Sequence, residues 1–141
     1  MANVFNRGKA AIGNGTVDWD TTAIKVMLVT AAYVYNVDHN TRSQVTGEIT
    51  NGGYVAGGNA LAGRVVTQDD TNDRAIYDAA DTLFASLAAG DQPFAAIAYR
   101  DSGAAATDDL IAYCTLTAPP APNGGNYTIV WNAAGVFNVA N

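Results

Sequence analysis

Four side chains with hard oxygen donors fall within five positions, Asp69, Asp70, Asn72 and Asp73, and such a run could wrap a calcium ion. The spacing departs from the twelve-residue calcium loop, and its bidentate glutamate is missing, so a plain acidic hairpin tip is the reading these residues favour. Asp69, Asp70 and Asp73 are the metal candidates, and nothing else in the chain asks for a cofactor. Nucleophilic chemistry is thinly provided. Cys114 is the single cysteine and sits inside the apolar run from Leu110 to Leu116, which suits a small buried hydrophobe. The single histidine, His39, lies in a polar stretch, and one imidazole cannot serve Ser43, Ser86 and Ser102, none of which sits in an elbow motif. Twelve aspartates and Glu48 supply carboxylates, but most of the aspartates fall among turn residues, where side-chain hydrogen bonds to nearby backbone account for them. The glycine-rich stretch from Asn51 to Asn59 lacks the Lys-Ser/Thr ending of a phosphate loop, and turn or bulge glycine explains it. The residues therefore predict a protein that is not an enzyme.

Binding chemistry has more to work with. Tyr33 and Tyr35 alternate around Val34, so they share a face if the preceding strand continues, and two stiff aromatics with polar tips suit an interface. Trp19 and Trp131 could stack on sugar rings, but neither has polar neighbours arranged for a sugar, and a core or interface anchor is the better reading. At the N-terminus Val4, Phe5 and Ile12 are apolar while Arg7 and Lys9 place two of the seven basic residues within three positions.

The elements that would hold these residues are strands. Ala23 to Thr30 carries Ile24, Val26 and Leu28 on one face and Lys25 and Met27 on the other. Leu61 to Thr67 and Arg74 to Asp78 flank a turn at Gln68 to Asp73, and Phe94 to Arg100 and Leu110 to Thr117 flank the turn-rich Asp101 to Asp109, giving two hairpins. Asn126 to Asn132 and Gly135 to Val139 finish the chain around a tight turn or bulge. Ala79 to Ala89 fits either a helix, with Leu83, Phe84 and Leu87 at helical spacing, or a strand with a long connection. Val4 to Ile12 fits a short amphipathic helix stopped by Gly13-Asn14-Gly15. Short strands with turn chemistry between them predict an all-β domain, an antiparallel β-sandwich or jelly roll, with Ile24, Val26, Leu28, Ile76, Ile97, Ile111, Ile129 and Val136 in its core. Residues 15–141 form that domain, and residues 1–14 read as an N-terminal arm or short helix set apart by the glycines.

Composition bounds the rest. The 141 residues fit one domain, 49% are hydrophobic and only 14% charged, against about 25% in an ordinary protein. Such a surface, left to Asn, Thr, Ser, Gly and Ala, suits faces that stack on other proteins. A net charge of −6 with scattered bases argues against nucleic acid, which needs clustered cations. No signal-peptide core or membrane-length apolar run is visible, so synthesis in a cytoplasm and no membrane partner are expected.

The ordered motifs resemble a known family. They run from Val17-Asp18-Trp19-Asp20 through Ile24-Lys25-Val26-Met27-Leu28-Val29-Thr30 to Tyr33, then Ile49-Thr50-Asn51-Gly52-Gly53-Tyr54-Val55-Ala56-Gly57-Gly58-Asn59-Ala60-Leu61, Ala98-Tyr99-Arg100-Asp101-Ser102-Gly103, Leu110-Ile111-Ala112-Tyr113, and Tyr127-Thr128-Ile129-Val130-Trp131-Asn132-Ala133-Ala134-Gly135-Val136-Phe137. Together they are similar to a group of small tailed-bacteriophage virion structural proteins, and the similarity spans nearly the whole chain, departing at 79–92 and 118–125. The resemblance implies a capsid decoration, or cement, protein that binds the major capsid protein lattice on the virion surface after synthesis in the bacterial host. It also implies a homo-oligomer, a trimer by analogy with the threefold positions of capsid lattices. A tail or head-tail connector component is the alternative within that class, and a host-receptor or carbohydrate-binding module the alternative outside it. The family implies no catalytic residues. The interface residues are expected to be Val4, Phe5, Arg7, Lys9 and Ile12 of the arm, with Tyr33 and Tyr35.

Overall fold

The structure is a computed structural model, and it describes residues 2–140. Ten strands and one α-helix make an all-β domain whose strand pairs are all antiparallel: β1 (Ala2–Val4), α1 (Asn6–Gly13), β2 (Ile24–Val29), β3 (Asn59–Ala60), β4 (Val65–Asp69), β5 (Arg74–Asp78), β6 (Thr82–Phe84), β7 (Ala95–Arg100), β8 (Leu110–Thr115), β9 (Tyr127–Ile129) and β10 (Phe137–Ala140). A five-stranded sheet runs β1-β8-β7-β2-β3. Opposite it lie a three-stranded sheet, β10-β5-β4, and a two-stranded one, β6-β9.

The middle strands of the large sheet are buried on both faces, which is why β2, β7 and β8 read as nearly continuous apolar runs. One face presents Val26, Leu28, Ala96, Ala98, Ala112 and Cys114 to the main core. The alanines leave room there for large residues of the smaller sheets and their loops, Trp19, Phe84, Tyr127, Ile129 and Phe137. Trp19 stands edge-on to Phe137 at 5.1 Å and to Tyr77 at 6.0 Å, and its indole N–H donates to the Asp78 carbonyl at 2.8 Å, so its polar atom is satisfied in the core. The other face carries Met27, Val29, Ile97, Tyr99, Leu110 and Tyr113, covered by Phe5, Tyr33, Tyr35 and Val45 rather than by a sheet. Each enclosed aliphatic or aromatic side chain contributes ~1.5–3 kcal/mol, so both faces stabilise the domain.

The sandwich expectation holds in outline, with corrections. Ile97 is buried on the face opposite the main core, paired across the sheet with Met27, and Ile76 is only half-buried. The stretch from Ala79 to Ala89 forms β6 and turns, not a helix. The last two strands do not pair with each other: β9 joins β6 and β10 joins β5, with only the Asn132–Gly135 bridge between them.

The N-terminal segment departs furthest from an independent arm. β1 pairs with β8 through Ala2–Cys114, Asn3–Tyr113 and Val4–Ala112, and α1 lies against the same strand. A Cβ at Gly8 would sit 2.5 Å from the Ile111 carbonyl oxygen, so only glycine lets the helix approach this closely. A similar constraint acts at Gly58, where φ is +74° and a side chain would overlap the Val26 carbonyl.

Candidate functional site

The sequence-predicted arm residues are largely used by the domain itself. Phe5 is fully buried, with its N–H donating to the Ile111 carbonyl at 3.0 Å and its ring 5.1 Å from Tyr35. Val4 and Ile12 are half-buried against the main core, and the Val4 carbonyl accepts the Tyr35 hydroxyl at 3.3 Å. Lys9 is exposed. Arg7 reaches across to the buried Asp109, Nε to Oδ1 at 2.7 Å. The reason is the apolar content of the segment: Val4, Ala11 and Ile12 pack against the main core, and Phe5 is enclosed on the opposite face of the large sheet. Tyr33 is likewise buried, and Tyr33 and Tyr35 both pack on Tyr113, at 5.9 and 5.2 Å. Burial, then the neighbouring Tyr113 and Tyr35, pushes the Tyr33 hydroxyl up to about 12.

The acidic cluster behaves as a hairpin tip. Asp69 accepts hydrogen bonds from Asn72 and from Arg74 Nε, which together hold its carboxyl below the usual range. Asp70 accepts from Gln68, and Asp73 takes a turn conformation with φ +50°. Among the described residues no three His, Cys, Asp or Glu side chains converge in a way that could hold a metal ion.

What no local pattern announced is a charge network at the base of the Asp101–Asp109 loop. Asp108, fully buried, accepts Arg42 Nε at 2.7 Å and both the backbone N–H and the hydroxyl of Ser102. Burial raises its pKa, and the hydrogen bonds from Arg42 and Ser102 outweigh that, leaving it low. Asp109 sits between Arg7 and Arg100; Arg100 Nε lies 2.8 Å from Asp109 Oδ2 but out of line for a hydrogen bond. Lys25 pairs with Asp101 at 2.8 Å and depresses it. The Arg42 guanidinium also lies over the Tyr99 ring, 5.2 Å from its centre. His39 is 3.0 Å from the Tyr33 hydroxyl, and Ser102 is bonded to an acid rather than to an imidazole, so no nucleophile–base pair forms there.

A groove of about 690 Å³ lies elsewhere, between β9, β10, the end of β8 and the Thr117–Pro120 turn. Tyr127, Ile129, Trp131, Phe137, Leu116 and Pro119 give it an apolar, aromatic lining, and among the described residues Arg74 is the one charged side chain on it. Trp131 is half-buried at its wall with the indole N–H 3.3 Å from Thr82 Oγ1. Cys114 lies buried at the bottom; burial pushes its thiol up to about 12, and its Sγ donates to the Val136 carbonyl at 3.2 Å. It is an inert core group.

Apolar side chains also stand in solvent. β4 is the outer strand of the three-stranded sheet, one of its edges is unpaired, and Val65 and Val66 on it are 47% and 43% exposed. No protein-family model matches the chain, and no curated protein is similar to it.

Proposed function

We propose that this chain is a non-enzymatic structural component of a tailed-phage particle, a decoration protein that packs on the major capsid protein lattice as an oligomer, a trimer by analogy with lattice threefolds. The observation that carries the packing role is β4. An edge strand with a free row of N–H and C=O groups and two neighbouring exposed valines is a template for association, and soluble proteins ordinarily blunt such an edge with lysine, proline or a covering loop. Here the edge is kept adhesive, as a surface that is covered after assembly would be. The virion setting itself rests on the resemblance of the ordered motifs to small phage structural proteins. The polar chemistry fits a passive role, because the buried acids of the Asp101–Asp109 loop are engaged by arginines and Ser102 that hold the fold together.

Quantitative mass spectrometry of purified particles tests the reading. Hundreds of copies per particle are the expected result. A handful would move the chain to the tail or the head-tail connector, and absence from the particle would overturn the virion role altogether.

A further inference from the structure

The groove has an unusual construction. Its two long walls, β9 and β10, are each paired on one side only, β9 with β6 and β10 with β5, and they diverge from the Asn132–Gly135 turn with no hydrogen bond joining them beyond it among the described residues. The backbone directions can be read from neighbours. The Leu83 carbonyl accepts a bond from Asn59, on the side of β6 away from β9, so the Leu83–Thr128 pair is a non-hydrogen-bonded one and the N–H and C=O of Thr128 point away from β6. Alternation turns Val130 the same way, consistent with the Trp131 N–H pointing back to Asp81 of the β6 side. On β10, Val136 aims its carbonyl at Cys114 rather than at β5, and Asn138 follows two positions on. Thr128 and Val130 are both exposed, Val130 by 73%. The space between therefore has backbone donors and acceptors along two sides and apolar side chains at its base.

We infer that this slot is a strand-acceptor site: it takes an extended segment of a partner polypeptide, which pairs with the outer edges of β9 and β10 and joins the two smaller sheets into one layer, β6-β9-guest-β10-β5-β4. Charge defines the guest. Among the described residues Arg74 is the only charged side chain on the groove, its Nε is engaged by Asp69, and its two Nη groups donate no hydrogen bond there. The guest is a short alternating strand of apolar and small polar residues carrying one carboxylate toward Arg74 and no basic residue. This goes beyond the virion reading and stands without it.

The experiment is amide hydrogen exchange on the intact protein, with and without synthetic hexapeptides of alternating threonine and valine that carry an aspartate at one end or the other. Free protein should exchange the Thr128, Val130 and Asn138 amides fast. An aspartate peptide at about ten times its dissociation constant should slow them about tenfold. The same peptide N-methylated at alternate amides should give no protection, and Asn in place of Asp should weaken binding about tenfold, a difference that Arg74→Gln abolishes. The inference is overturned if neither aspartate peptide protects these amides, or if the N-methylated one protects equally. Slow exchange in the free protein at all concentrations would mean a closed slot, and slow exchange that grows with protein concentration would mean that a second copy fills it; both refute the proposal. Particle copy number is indifferent to all of these results, so failure here and failure of the virion role are separable.

Discussion

At the scale of single residues, the acids are the informative groups. Asp108 has no solvent of its own and exists as a carboxylate because Arg42 and Ser102 supply what water would. Its folded pKa lies below the value of about 3.9 that it has in an unfolded chain. Below that value the unfolded state binds the proton and the folded state resists it. The stabilisation is therefore complete above pH ~4 and is lost as pH falls through the folded pKa. Asp69 and Asp101 are shifted the same way and add to the acid sensitivity. Asp108→Asn keeps the size and an acceptor for Ser102 but removes the charge facing Arg42. We expect it to cost about 3 kcal/mol at pH 7, the low end for breaking a buried pair, because Arg42 keeps partial access to water. Urea melts at pH 7, 5 and 3 check this: the wild type should weaken sharply only between the last two, and the variant should start lower and fall less. Equal pH dependence in both would show that Asp108 does not titrate as described.

Among the elements, the central strands and the two hairpins, β4 with β5 and β7 with β8, were readable, and the pairings between distant strands were not. Alternation in Ile24–Val29 and the unbroken apolar runs of β7 and β8 identify strands because burial on one or two faces leaves a local period. The hairpin tip at Asp69–Asp73 is written in turn residues. β1 has three residues, too few for any period, so its pairing with β8, more than a hundred positions away, leaves no trace in the sequence. The same holds for Arg7 with Asp109 and Arg42 with Asp108, where attraction acts through space and has no spacing rule. The tight turn expected between the closing strands is present at Asn132–Gly135, but the turn leaves their partners open: Tyr127 and Ile129 are drawn to β6 and Phe137 to β5 by the core they fill. Gly8 offers the test of the N-terminal assignment. Gly8→Ala forces a Cβ against the Ile111 carbonyl that accepts the Phe5 N–H, and overpacking of this kind costs about 2 kcal/mol. In a chain of this size that lowers the melting temperature by roughly 4–8 °C. Lys9→Ala, one position along on the exposed side of α1, should leave it unchanged. If Gly8→Ala melts with the wild type, α1 is not docked on β8 and residues 1–14 regain the character of an arm.

For the whole molecule, the proposed packing role raises the question of what would drive it onto another surface. Five of the seven basic residues, Arg7, Lys25, Arg42, Arg74 and Arg100, are held in internal ion pairs, so a chain with a net charge of −6 has little free positive charge to steer it. Electrostatic attraction by a basic N-terminus would need both Arg7 and Lys9, and Arg7 is taken by Asp109. The exposed apolar edge of β4 remains, and contact through it depends on burial of Val65 and Val66 and on pairing of a free strand edge, neither of which salt screens strongly. If the chain decorates a lattice as proposed, modest gains per site multiplied over a symmetric oligomer would give tight attachment. Val66→Lys separates these terms. The side chain is 43% exposed and the strand is an edge, so folding stability should change by no more than about 0.5 kcal/mol. Burying an added ammonium against the shell is costly, and a lysine on an edge strand blocks further pairing. In co-sedimentation with undecorated heads, the wild type should bind nearly as well at 0.5 M salt as at about 0.1 M, where the Debye length is already near 10 Å. The variant should stay in the supernatant at both. Binding of Val66→Lys at wild-type levels would remove β4 from the contact, and wild-type binding that collapses with salt would return the interface to charged groups such as Lys9.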